Sequence, residues 1–190
     1  MSQNWSRRRL IQTALAGGAG LSLVRFASAD DVAAAEAAKT PEFFLEIHNT
    51  HTGETASTVL ARGAKLDPTA LALFRNVLRD HRNGESHEMD PRLYDQLHAL
   101  ALAAHCDARF EIISGYRSPE SNDKMSSRPG SGVAKHSLHM QGRALDVRLK
   151  GCPCSDLRDL ALAAKQGGVG YYQRSDFVHI DTGAFRTWVG

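Results

Sequence analysis

An α+β domain, with helices packed on one face of a mostly antiparallel sheet, is the fold that this 190-residue sequence predicts. Three observations carry the prediction. Short runs rich in β-branched and aromatic residues, bounded by turn residues, occur near both ends of the chain. Two Asp-Pro steps each precede leucines at helical spacing. The elements then follow in the order β-β-α-α-β-α-β-α-β-β, with no internal repeat.

Phe43 to Ile47 and Thr55 to Ala61 read as strands joined by a hairpin through Asn49-Thr50-His51-Thr52-Gly53. Asp67-Pro68 supplies an N-cap and a first-turn proline, and Leu71, Leu73, Phe74, Val77 and Leu78 follow at helical spacing. Asp90-Pro91 repeats that start, with Leu93, Leu97, Leu100 and Leu102 as the apolar stripe. Phe110 to Ile113 is a strand ending at Ser114-Gly115, and Ser118-Pro119-Glu120 opens a short helix. Residues 127 to 137, rich in Gly, Ser and Pro, form a loop. Ala144 to Leu149 is a strand. Ser155 caps a helix through Leu157, Leu160, Leu162 and Ala164 that Gly167-Gly168 stops, and Val169 to Tyr172 and Phe177 to Asp181 are the last strands.

The charge balance is uneven. Of 23 Lys+Arg and 21 Asp+Glu, the first 29 residues hold Arg7, Arg8, Arg9 and Arg25 and no acid, which leaves the remainder at −2. That balance does not point to a nucleic-acid binder, which usually shows a basic domain face. The basic opening, the apolar stretch from Leu10 to Leu23 and the small residues Ala27-Ser28-Ala29 read as an export signal cleaved before Asp30. Ser-Arg-Arg-x-Leu-Ile resembles the twin-arginine signal, which engages an export machinery for folded proteins. The alternative is an uncleaved anchor, for which the apolar stretch is short against the ~20 residues of a span. Residues 30 to 40 read as a linker and 41 to 190 as the domain, with no stable membrane span after cleavage. Cys106, Cys152 and Cys154 are an odd set in which Cys106 pairs with one of the others or all three are plain thiols.

The chemistry-bearing pattern lies in the last strands. Side chains alternate across a strand, so Leu145, Val147 and Leu149 share one face while Asp146 shares the other with Ala144 and Arg148. Likewise Val178 and Ile180 oppose Phe177, His179 and Asp181. Each strand therefore offers an apolar face for helices and an opposite face bearing a metal-type ligand. His139 lies seven residues before Asp146, across Gly142, where the chain can turn back. Two imidazoles and one carboxylate suit Zn²⁺ with a fourth position open, the arrangement of a catalytic site. The spacing alone is not specific, because a hydrogen-bonded or exposed imidazole is the commoner fate of any one of nine histidines.

Ser137-x-His139-x-x-Gly142-x-Ala144-x-Asp146 resembles the signature of the zinc D-alanyl-D-alanine peptidases, which share a superfamily with lysostaphin-type enzymes and the hedgehog domain. The closer resemblance, over about residues 40 to 190, is to murein endopeptidase K-like proteins. It rests on Ser114-Gly115-Tyr116-Arg117-Ser118-Pro119, Gly132-Val133-Ala134-Lys135-His136-Ser137, Gly167-Gly168-Val169-Gly170-Tyr171-Tyr172 and Phe177-Val178-His179-Ile180-Asp181-Thr182-Gly183. The resemblance implies the hedgehog/DD-peptidase-like fold and one Zn²⁺ per chain held by His139, Asp146 and His179. It implies Asp176 as general base, against a plain loop acid. Arg117 is implied near the substrate carbonyl or oxyanion, against a salt-bridged structural arginine. Ser137 is implied as a hydrogen-bond partner of substrate, against a turn residue. A superfamily histidine two residues before the last ligand is replaced by Phe177; His136 is the substitute if its loop folds inward, against the commoner reading of an exposed His136. Asp181 reads as the partner that orients His179.

The expected function is a periplasmic zinc endopeptidase cutting peptide cross-links between peptidoglycan stem peptides. Two alternatives stand: a zinc-containing cell-wall binding module, favoured if Asp176 points away from the metal, and a cell-wall D,D-carboxypeptidase.

Overall fold

The computed structural model describes residues 41–190; the expected export signal and linker lie outside the described residues. Strands β1 (Glu42–Asn49), β2 (Thr55–Arg62) and β3 (Lys65–Leu66) lead into helices α1 (Pro68–Val77) and α2 (Pro91–Ala103). Strand β4 (Arg109–Ser114), helix α3 (Pro119–Ser126), a 3-10 turn (Leu138–Gln141), β5 (Ala144–Leu149), α4 (Cys154–Ala164), β6 (Gly168–Tyr172), β7 (Phe177–Asp181) and β8 (Arg186–Val189) complete the chain. All strands join one sheet in the order β3-β2-β1-β4-β5-β7-β6-β8. The pairings are antiparallel except β1 with β4 and β6 with β8.

Local chemistry starts the helices as the sequence predicts. The Asp67 carboxylate accepts from the Thr69 and Ala70 amides, Asp90 from Arg92, and the Ser118 hydroxyl from Ser121, each before a proline at the first helical position. Helix α4 differs. It starts at Cys154 behind Pro153 with no side-chain cap, and the Ser155 hydroxyl bonds Asp156 instead. Its end differs too, because Lys165 takes the left-handed position that ends it before Gly167-Gly168 is reached.

Helices α1, α2 and α4 bury their apolar faces on the sheet. Phe74, Leu93, Leu97 and Leu157 meet Leu145, Val147, Leu149, Val178 and Ile180 in one core. Full burial of each such side chain contributes about 1.5–3 kcal/mol. Leu102, which the periodicity places on the stripe of α2, is 61% exposed. Helix α3 stands outside this layer, since its buried residues are the polar Ser121 and Asn122. Strand β8 is absent from the sequence prediction: Arg-Thr-Trp-Val is short, mostly exposed, and gains its partner only by pairing parallel with β6.

Asp80 fastens the start of α3 to the α1–α2 connection. Fully buried, it accepts from the Ser118 amide (2.9 Å), the Ser118 hydroxyl (3.0 Å) and the Arg82 amide (3.0 Å). Burial works to raise its pKa, but hydrogen bonds from Ser121, Arg82 and Ser118 outweigh it and hold the carboxyl at about 2. A depressed folded pKa stabilises above the unfolded value near 3.8, and that stability is lost as pH falls towards 2. Asp80→Asn is therefore expected to cost about 1–3 kcal/mol at pH 7, with a penalty that shrinks on acidification below about pH 4. Urea unfolding at both pH values checks this, and a penalty constant with pH would contradict it.

Candidate metal centre

The face of the sheet opposite the core carries the site. Register sets Asp146 of β5 directly across from His179 of β7, as two side chains on one face of an antiparallel pair must be. A bulge between Ile112 and Ser114 resets β4 so that Ser114 lies opposite Asp146 on the other side. His139 arrives from the 3-10 turn. The Ser137 hydroxyl caps that turn by accepting from the His139 amide (3.4 Å), and Gly142 ends it at φ 64°. A Cβ on Gly142 would lie 2.1 Å from the Glu88 carbonyl oxygen, so only glycine closes the turn here.

Ligand atoms of His139, Asp146 and His179 all fall within 4.8 Å of one another, and all three residues are buried. Asp146 Oδ1 lies 2.8 Å from His179 Nδ1 and 3.4 Å from His139 Nε2. The far nitrogen of each ring is held by a group that can only accept. His139 Nδ1 donates to the Gly115 carbonyl (2.7 Å) and His179 Nε2 donates to Asp181 Oδ2 (3.1 Å). The remaining nitrogen of each ring, His139 Nε2 and His179 Nδ1, is thereby turned towards Asp146, the arrangement that orients metal-binding imidazoles. Asp181 is itself fixed by the Gly168 and Gly183 amides and the Arg186 guanidinium.

The electrostatics of the cluster favour positive charge. Burial opposes charge on His179, yet Asp146 and Asp181 on its two nitrogens push it up to about 9. Burial likewise opposes ionisation of Asp146, and the two histidines outweigh it and hold it far below the ordinary carboxylate range. Two imidazoles and a carboxylate focused on one point, with both outer nitrogens already satisfied, match the donor set of zinc.

The other sequence candidates are placed as follows. Arg117 is 6% exposed, donates to Asn122 Oδ1 (3.3 Å) and Ser114 Oγ (3.4 Å), and leaves Nε without a partner among the described residues. Burial pushes its guanidinium down, opposed first by Asp146, so it sits within that carboxylate's field. Its hydrogen-bond partners are uncharged, unlike those of a salt-bridged structural arginine. Ser137 orders the turn before His139. His136 is exposed, and Phe177 stacks on Tyr172 at 4.5 Å.

Asp176 is not brought into the three-residue cluster. Its carboxylate lies 3.8 Å from Arg148 Nε, its side chain is 69% exposed, and its backbone is left-handed at φ 51°. It lines a cavity of about 400 Å³ with Glu111, Arg148, Lys150 and Cys154, to which none of the three candidate ligands contributes. Cys106, Cys152 and Cys154 are free thiols; burial, then Asp176, pushes Cys154 up to about 12. Sequence reasoning missed the Gly115 carbonyl, the clamp of Arg186 on Asp181, and the aromatic flank formed by Tyr172 and Trp188.

Comparison with known proteins gives a concordant result. Residues 36–188 match the family profile described as peptidoglycan L,D-endopeptidase MepK. The chain is 40% identical over 144 residues to the Escherichia coli K12 protein of that name, covering 76% of this chain and 79% of that one. It is 37% identical over 147 residues to the probable peptidoglycan L,D-endopeptidase MepK of Haemophilus influenzae, covering 77% and 78%. No solved structure gave a significant match. With a family profile spanning most of its length and relatives at this identity, the chain belongs to the MepK peptidase family.

Proposed function

We propose that the chain is a zinc-dependent peptidoglycan endopeptidase that hydrolyses peptide cross-links between stem peptides. The observation that carries this reading is the convergence of His139, Asp146 and His179 in a member of a peptidoglycan peptidase family. These three residues hold the metal. When bound, zinc supplies Lewis-acid polarisation of the scissile carbonyl and activation of water. The protein's own groups do the rest. Gly115 and Asp181 keep the two imidazoles aimed, and Arg117 presents a buried guanidinium to the developing oxyanion. Ser137 lies beside His139, where a substrate amide can reach its hydroxyl once the turn is formed. For the base this reading keeps Asp176, three residues before His179, whose carboxylate pairs with Arg148 in the structure.

The substrate places the enzyme outside the cytoplasm, in the periplasm or beyond. The reading includes export through the twin-arginine-type signal in residues 1–29, cleavage before Asp30, and a peptidase domain over 41–190. One observation favours a second reading, a metal-holding cell-wall binding module: Asp176 is engaged by Arg148. Family membership weighs against it.

Purified full-length protein loaded with zinc is expected to convert cross-linked muropeptides to uncross-linked products, detected by mass. Chelator should stop the reaction and zinc restore it. Intact substrate with the loaded protein would overturn the peptidase reading, and release of D-alanine alone would make it a carboxypeptidase.

A further inference from the structure

A single row of residues crosses the sheet on the metal side. Ser114 of β4 lies opposite Asp146 of β5, Asp146 opposite His179 of β7, His179 opposite Gly170 of β6, and Gly170 beside Trp188 of β8. Adjacent strands are about 4.8 Å apart, so Trp188 starts two strands away from His179. Its ring nevertheless lies 5.0 Å from the His179 ring, centroid to centroid. It reaches there by lying across Gly170. A Cβ at that position would come within 2.4 Å of the indole, so the row omits a side chain where the indole passes.

The ring is braced in this pose. Trp188 Nε1 donates to the Tyr172 hydroxyl (3.0 Å), and Tyr172 stacks on Phe177. Arg186 sits 5.1 Å from the indole on its way to Asp181, which in turn holds His179. A residue serving only to fill space would be expected to be enclosed, yet Trp188 and Tyr172 are both only partly buried. Together they present a rigid aromatic flank that ends at a candidate metal ligand. Such a flank packs well against aliphatic chains and has little to offer a carboxylate.

Resting on the proposed function, we infer that Trp188, braced by Tyr172, is a specificity-determining residue of this site. Its ring is the wall against which the aliphatic side chain of the stem-peptide residue beside the scissile bond packs. The chemical class read by the wall is a methylene chain.

Kinetics and fluorescence on full-length, zinc-loaded protein test the inference. Trp188→Ala is expected to raise KM for cross-linked muropeptide roughly tenfold, the effect of a methylene-sized apolar contact, with kcat changed less than about threefold. Trp188→Phe should recover most of the loss, and zinc content should match the parent in both. The sequence has two tryptophans, Trp5 and Trp188, so Trp5→Phe leaves Trp188 as the sole indole emitter. Titrating that variant with uncross-linked muropeptide product should change its emission saturably.

Loss of zinc from Trp188→Ala would overturn the inference and make Trp188 a brace for His179. An unchanged KM would overturn it while leaving the peptidase reading intact. If the parent protein cuts nothing but Trp188 emission responds to muropeptide, the peptidase reading fails and the wall stands. A silent emission at concentrations that saturate cleavage would remove the wall.

Discussion

His139→Ala is expected to empty the metal centre and reduce cross-link cleavage by on the order of 10³-fold or more. The ion is asked to supply several kcal/mol of transition-state stabilisation, and each 1.4 kcal/mol is about tenfold in rate. With one imidazole gone, Asp146 and His179 alone remain to bind it. The fold should lose far less. The ring contributes its bond to the Gly115 carbonyl, worth about 1 kcal/mol, and its packing and charge beside His179 and Asp146, a loss of a few kcal/mol in all. Zinc content by elemental analysis, cleavage by mass, and urea unfolding separate these quantities. A variant that retains zinc and activity would remove His139 from the ligand set; one that unfolds would make its role structural.

Arg117→Ala carries the second largest expected effect, a fall of about 10²–10³ in kcat with zinc content unchanged, the size seen when one oxyanion donor is removed. Arg117 is buried, leans on two uncharged side chains through long bonds of 3.3 and 3.4 Å, and keeps Nε unpartnered. A buried guanidinium held so weakly contributes little to folding, and among the charges around it Asp146 favours it most. Lysine should not rescue it, because a point charge on a flexible stem lacks the planar fork. A kcat within threefold of the parent would assign Arg117 to the scaffold.

Much of this arrangement was legible in the sequence because strands have a fixed period. Leu145-Asp146-Val147 and Val178-His179-Ile180 announce an apolar face and a ligand face, and the register sets Asp146 and His179 side by side. Asp181, two residues on, necessarily shares the face of His179, and it takes that ring's outer nitrogen. The partner of His139 was not legible, since a backbone carbonyl such as that of Gly115 leaves no trace in side-chain identity. The position of the Asp176 carboxylate was not legible either, since counting three residues back from His179 does not reveal a left-handed backbone or the pairing with Arg148. Strand β8 escaped because its four residues carry no periodic signal of their own. Its importance emerges only when Gly170 is seen as the gap that Trp188 crosses.

The locked outer nitrogens of His139 and His179 also separate assembly from loading. Hydrogen bonds to a carbonyl and a buried carboxylate fix both rings from the polypeptide side, independently of what their other nitrogens bind. Chelation is therefore expected to remove the metal and leave the fold standing on its own core, unlike small zinc domains whose folding is the binding event.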